Sequence, residues 1–162
     1  MLVSGVLLGV LTGVAIRRTW APLSRISVRF LPLLLVALVL RALAPALPPF
    51  GLAMYELAMI GTIAVAIANW QLPGAALILL GGLLNLIVVF ANGGMPVDLG
   101  ALAAAGGGMP TDSLHLVAGD STVLRPLADV IPIALFRSAY SMGDFGIVAG
   151  GFLIPLSVFL RR

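Results

Sequence analysis

Five apolar stretches, at about residues 2–16, 30–47, 51–70, 74–91 and 145–160, leave this chain almost no sequence from which to build a water-facing surface. At about 1.5 Å of helical rise per residue, each covers most or all of a bilayer core about 30 Å thick. The chain has 162 residues, 61% of them hydrophobic and 9% charged, so five such spans leave no room for a separate soluble domain. The sequence therefore predicts one all-α integral membrane domain over residues 1–162. Its core is a five-helix transmembrane bundle, with short interfacial helices in an external cap over 92–144. The first stretch rises only about 23 Å, which implies local thinning or little tilt. No basic residue precedes it and no small-x-small pattern follows it, so it reads as a retained helix rather than a cleaved signal.

The charges set an orientation. Nine Arg and no Lys stand against six acids, for a net charge of +3. Arg17, Arg18, Arg25 and Arg29 lie in the first connection and Arg161 and Arg162 at the C-terminus, which places those segments in the cytoplasm. The N-terminus is then outside, as is the 92–144 segment, which holds all five Asp but only Arg125 and Arg137. Trp20 and Trp70 fall at the inner interface, as an aromatic belt requires. No basic stripe with interleaved aromatics is present, so no nucleic-acid partner is expected. The absence of Cys excludes disulfides, thiolate nucleophiles and thiolate metal sites. Between Trp20 and Phe30, Leu23 and Ile26 complete an apolar series at helical spacing. This suits either a short helix in the headgroup plane, opened at Pro22, or a plain positive-inside loop.

Small residues indicate how the spans meet. Gly5, Gly9 and Gly13 repeat every four residues, as do Gly146 and Gly150, and Gly51, Ala58, Gly61, Ala64 and Ala68 form a comparable face. Such faces serve packing within the bundle, or docking of a second copy or partner membrane protein on Gly5, Gly9 and Gly13. Charged or amide side chains within spans are costly and face partners or water-filled cavities. Arg41, Glu56 and Asn85 are of this kind, and an Arg41–Glu56 ion pair with Asn85 bonded nearby is the expected arrangement. With Asn92, these are the candidate ligand-binding residues.

The 92–144 segment contains an echo. Gly93, Gly94, Met95, Pro96, Val97 and Asp98 recur as Gly107, Gly108, Met109, Pro110, Thr111 and Asp112, each followed by a short apolar run. Glycine, proline and a capping residue in that order predict two interfacial helices, near 97–105 and 112–118. The piece 130–137, broken by Pro132, is too short to span and is a candidate re-entrant segment. His115 follows Asp112 by three residues, with Asp120, Asp129 and Asp144 as further possible ligands, but that spacing is common by chance. No metal and no cofactor is expected. Asp144, with Ser141 ahead of it, stands at the start of the last span, where capping explains it. Asp129 precedes Val130, Ile131 and Pro132 and has no capping role. It is the leading catalytic candidate, ahead of His115 and Asp144.

Asn85 through Val97, then His115, then Leu124 through Pro132, then Tyr140, Ser141, Met142, Gly143 and Asp144, resemble the signature of a family of small bacterial polytopic membrane proteins catalogued only as a domain of unknown function. The chain departs from that pattern at Ala128, where Gly is usual, and in the duplicated Gly-Gly-Met-Pro. The resemblance implies a bacterial inner-membrane location and a polar cluster at one face, and it implies no activity. Three functions fit: a non-enzymatic accessory or binding module with a polar pocket at the external face, an intramembrane enzyme acting on a lipid-linked substrate, and a small homodimeric transporter. The lipid bilayer is the one partner common to all three.

Overall fold

The computed structural model describes residues 1–161. Helices α1 (Leu2–Arg17), α2 (Leu31–Leu43), α3 (Pro48–Ala68), α4 (Ala75–Asn92) and α6 (Met142–Leu160) form the body. Of these, α3, α4 and α6 are long and apolar enough to cross a membrane, whereas α1 and α2 are shorter apolar helices. The helix ends follow local chemistry. A 3₁₀ turn, Ala44–Ala46, ends α2 at Pro45, and Pro48 and Pro49 open α3, where a fixed φ costs nothing. Gly93 closes α4 with φ +72°, in the left-handed region that favours glycine. At the start of α6, Ser141 and Asp144 form a reciprocal capping box.

The helices pack in the order α1–α6–α4–α3–α2. Backbone contact, rather than large side chains, joins the first three. A methyl group added at Gly5 or Gly9 of α1 would strike the carbonyl oxygens of Val148 and Phe152 on α6, and one at Gly13 would strike the Phe159 ring. On the other face of α6, Gly143 and Gly150 lie against Gly81 and Gly74 beside α4. The Gly5, Gly9 and Gly13 face is therefore filled by α6 of the same chain. These contacts run parallel between α1 and α6 and antiparallel between α4 and α6. Arg17 Nε donates to the Phe159 carbonyl at 2.7 Å, placing a cation at the C-terminal end of α6 where its dipole is negative.

Large apolar side chains point outward around the bundle, among them Leu8, Leu11, Val36, Val39, Leu80 and Phe90, a surface that water does not favour. In the first connection only Ala21–Arg25 is helical, as a 3₁₀ helix with Pro22 near its start, and Ile26 is extended. A longer helix is prevented because Asn69, 3% exposed, grips the Arg29 backbone at both ends: Arg29 N donates to Asn69 Oδ1 at 2.7 Å and Asn69 Nδ2 donates to Arg29 O at 2.9 Å.

The segment after α4 departs from the all-α expectation. Strand β1 (Met95–Val97) pairs in parallel with β2 (His115–Val117), and β3 (Ile131–Ile133) pairs antiparallel with β4 (Ser138–Tyr140). One helix, α5 (Leu99–Ala104), forms inside the first expected range, capped by Asp98 through Ala101 N at 2.9 Å. The second expected helix, near 112–118, is replaced by β2. Asp112 there accepts from Leu114 N and His115 N, a turn that feeds an extended strand, and β1 supplies the backbone partners. The piece 130–137 is not one apolar insertion but β3, a 3₁₀ turn at Ala134–Phe136, and the hairpin corner at Arg137, whose φ is +50°.

The glycine contacts generate a stability prediction. Gly9→Leu should lower the thermal unfolding midpoint of detergent-solubilised protein, at an overpacking cost of about 1–3 kcal/mol. Gly119→Ala, with open space around it, should change it little. Equal midpoints for the two variants, read by tryptophan fluorescence, would remove the backbone contact from the account of the fold.

Candidate functional site

Asp129 is fixed by its backbone. Its N–H donates to Pro96 O at 2.9 Å and its carbonyl accepts from Asp98 N at 3.0 Å, so β1 lies between β2 on one side and Asp129 on the other. The residue is 6% exposed, and its Oδ1 is buried without a hydrogen-bond partner among the described residues. Burial, reinforced by the nearby Asp144 charge and opposed by Arg41, pushes the Asp129 carboxyl up to about 8. At neutral pH it holds its proton.

Asp144 sits in a network built by three elements. Its N–H donates to Ser141 Oγ at 3.0 Å, and its Oδ1 accepts from Asn85 Nδ2 of α4 at 3.2 Å. Ser141 Oγ donates in turn to Asn85 Oδ1 at 2.8 Å. Gly143 makes room for this, since a side chain there would collide with the Asn85 amide. Capping accounts for Asp144 as the sequence suggested, and Asn85 bonds to α6 rather than beside Arg41.

Arg41 does not pair with Glu56. Its guanidinium lies over the Tyr55 ring, 4.5 Å from the centroid, and it enters no ion pair among the described residues. A helix turns about 100° per residue, so with Tyr55 facing Arg41, Glu56 points elsewhere. Tyr55 is the residue that sequence reasoning missed, although an aromatic next to the presumed counter-ion was the available signal. His115 Nδ1 lies 2.8 Å from Asp112 Oδ1 and 2.9 Å from Oδ2. Hydrogen bonds from His115 and Leu114 outweigh partial burial and hold the Asp112 carboxyl below its ordinary range. As a carboxylate it accepts, so Nδ1 carries the hydrogen and Nε2 is left for other work. Asn92 faces away from this group and staples the loop to α4: its amide donates to Val88 O and Val123 O and accepts from Val123 N.

Arg41, Tyr55, His115, Asp129, Tyr140 and Asp144 line one cavity of about 390 Å³ beneath β1, β2 and β4. Arg137 also reaches it while its Nε donates to Gly106 O at 2.8 Å. Arg125 is committed to Asp98 at 2.9 Å. Burial and the charges of Asp144 and Asp129 raise the Tyr140 phenol, which stays protonated. Neither Glu56 nor Asn92 is among the lining residues. Among the described residues, no three His, Asp or Glu side chains gather as a metal ion would require. What the cavity offers is a neutral carboxylic acid, an oriented imidazole, a stacked guanidinium and a capped carboxylate.

Arg41 and Asp144 also line a second cavity of about 240 Å³ between α1 and α2, whose floor is Ala58, Met59, Thr62, Gly82 and Ile147. Thr62 in turn borders an apolar cleft of about 230 Å³, walled by Leu2, Val6 and Val10 of α1 and Leu31 and Leu34 of α2. Ile26 and Val28 of the first connection turn into this cleft. The two ends of the helix row, α1 and α2, thus flank three cavities that share lining residues, the first polar and the last apolar.

The protein belongs to a family of unknown function (DUF5317), whose pattern matches residues 16–156. No curated protein and no solved structure matches the chain.

The state of Asp129 predicts a pH dependence. The folded protein keeps this proton up to about pH 8, whereas an unfolded Asp releases it near about pH 4. Unfolding between those values releases a proton, so stability is greatest below the unfolded pKa and falls as pH rises through the folded one. Asp129→Asn should flatten the decline in thermal midpoint between pH 5 and pH 8, a difference on the order of a few kcal/mol. Parallel curves for the two proteins would mean that Asp129 is ionised throughout.

Proposed function

We propose that this protein is a membrane-embedded binding module for an amphiphile, with the head in the polar cavity and an acyl chain in the cleft between α1 and α2. One observation carries the reading: Arg41 and Asp144 line both the polar cavity and the adjoining one, and Thr62 lines both that one and the apolar cleft. A small soluble ligand needs only the first of these spaces. A lipid needs all three in this order. The apolar outer surface supports five crossings of the bilayer, with α1 and α2 making the two shorter ones, and alternating helix directions gather Arg17, Arg18, Arg25, Arg29 and Arg161 at one end. On the positive-inside rule that end is cytoplasmic, the N-terminus and the polar cavity are external, and the family resemblance supports a bacterial inner membrane.

A second reading is an intramembrane enzyme acting on the same lipid-linked ligand. It draws on the Asp112–His115 pair beside a protonated Asp129, which together offer a proton acceptor and a proton donor. The binding reading is preferred because Asp144 and Asn85 are engaged in capping α6.

Two measurements test the proposal. Thr62→Trp should block the junction between the cavities and cut severalfold the phospholipid that co-purifies with the protein, measured by native mass spectrometry. Retention at the wild-type level would overturn the cleft assignment. For orientation, Ser24→Cys and Ser113→Cys place single thiols on exposed positions of a chain with none. In intact cells, a membrane-impermeant thiol reagent should label Ser113→Cys and spare Ser24→Cys, and the reverse pattern would invert the topology.

A further inference from the structure

The β3–β4 hairpin gives the polar cavity only its second strand, through Ser138, Ala139 and Tyr140. Ahead of that strand, from Val130 to Phe136, no side chain is polar. The corner, Ala134–Phe136, is exposed throughout. Leu135, at 83%, is the most exposed large apolar residue among those described, and Phe136 beside it is 57% exposed. Water disfavours such a corner, and two strands of three residues have no surplus stability with which to hold it there.

The corner stands beside the outer ends of two helices. Phe136 and Ile133 share a groove of about 250 Å³ with Ser4 and Leu8 of α1 and with Phe145 and Val148 of α6. Leu2 to Leu8 and Met142 to Val148 are equal steps along parallel helices, so the groove descends about 9 Å from the outer end of each. Its polar members, Ser4, Tyr140 and Asp144, lie at its outer end, and Leu8 and Val148 lie deepest. Asp144 is bonded to Asn85 and Ser141, and the Tyr140 ring meets Phe136 edge-on with centroids 6.0 Å apart. Leu8 and Phe145 are exposed and carry the outward apolar surface of the bundle up to the hairpin. Arg137 Nε, donating to Gly106 O at 2.8 Å, holds the corner in place.

We propose that the β3–β4 corner is inserted in the outer leaflet, with Leu135 among acyl chains and a lipid chain filling the groove that Phe136 walls between α1 and α6. The bilayer, rather than a second protein, is the partner, because this surface continues the faces that α1 and α6 turn outward and passes from polar to apolar in the direction that the outer leaflet does. The cap is then held to the membrane by the same hairpin whose second strand lines the polar cavity. Only the bilayer crossing and the external position of 92–144 are taken from the reading above, and the ligand of the cavity plays no part.

The chain has no Cys, so a nitroxide can be attached at single positions of the full-length protein in phosphatidylcholine liposomes. Leu135→Cys reports the corner, Leu80→Cys the outward face of α4, and Ser121→Cys an exposed polar turn of the cap. Power saturation compares collisions with oxygen, which concentrates in lipid, and with a water-soluble nickel chelate. Leu135 should match Leu80, with an oxygen-to-nickel ratio severalfold above that of Ser121. A Leu135 ratio as low as that of Ser121 puts the corner in water and overturns the insertion. Access of neither reagent to Leu135 means a protein contact, a second copy included, and overturns it equally. A high ratio at Ser121 as well immerses the whole cap and removes the corner as the inserted element. Nickel access at Leu80 removes the bilayer crossing itself, and the insertion with it.

Discussion

The backbone contact of α6 with α1 on one side and α4 on the other is the constraint from which the rest of the molecule follows. In an apolar surround, large side chains gain little by leaving lipid for protein, so close approach through glycine supplies the dispersion contact that holds helices together. Gly5, Gly9 and Gly13 give α1 that approach, and Gly81, Gly143 and Gly150 give it to α4. Because α6 is gripped on both faces, its first turn is carried to a set height against α4. That height brings Ser141 and Asp144 to Asn85, fifty-nine residues away from Asp144. The polar cluster is therefore a consequence of packing, and it also locks the register of the two helices, since sliding either would leave a buried amide and carboxylate unpaired.

The cap is held by a different logic. With strands of three residues, no sheet here is independently stable, and each survives because its backbone is bonded to something already anchored. Strand β1 follows directly from Gly93 and Gly94 at the end of α4, takes β2 on one edge and the Asp129 backbone on the other, and leaves β3 to continue from there. Asp98 then ties the start of α5 to Arg125. In this way the roof of the cavity is referenced to α4 and its floor to α3 and α6.

The helices were legible because apolar runs of this length have few other uses, and the capping of α6 was legible because Ser141 and Asp144 are local. Asp129 stood out for the corresponding reason: it lacked any local role. What sequence reasoning lost was set by direction and by distance. Arg41 was matched with Glu56 by charge, but Tyr55 occupies the face toward Arg41, and an aromatic ring satisfies a guanidinium without an opposite charge. Asn85 was assigned to the wrong neighbour because its partner lies on α6, across the whole cap. The repeated Gly-Gly-Met-Pro suggested repeated structure, yet only Asp98 caps a helix. Asp112 instead turns the chain into β2, because the edge of β1 is there to receive it. Sequence periodicity carries no record of an edge supplied by a distant segment.

An unpartnered buried carboxyl is the one place where the fold contradicts its own economy. Elsewhere buried polar groups are matched: Asn69 with Arg29, and Asn85 with Ser141 and Asp144. Asp129 alone has a buried oxygen with nothing to bond it among the described residues, although replacing it with an apolar residue would relieve the cost at once. Its backbone is over-determined by two hydrogen bonds to β1, so the side chain is not displaced there by accident of a loose loop. A rigid frame around an unsatisfied group is the arrangement that preorganised sites share: folding meets the desolvation before any partner binds. The one unmatched buried carboxyl of the described residues therefore stands on a frame that β1 holds fixed.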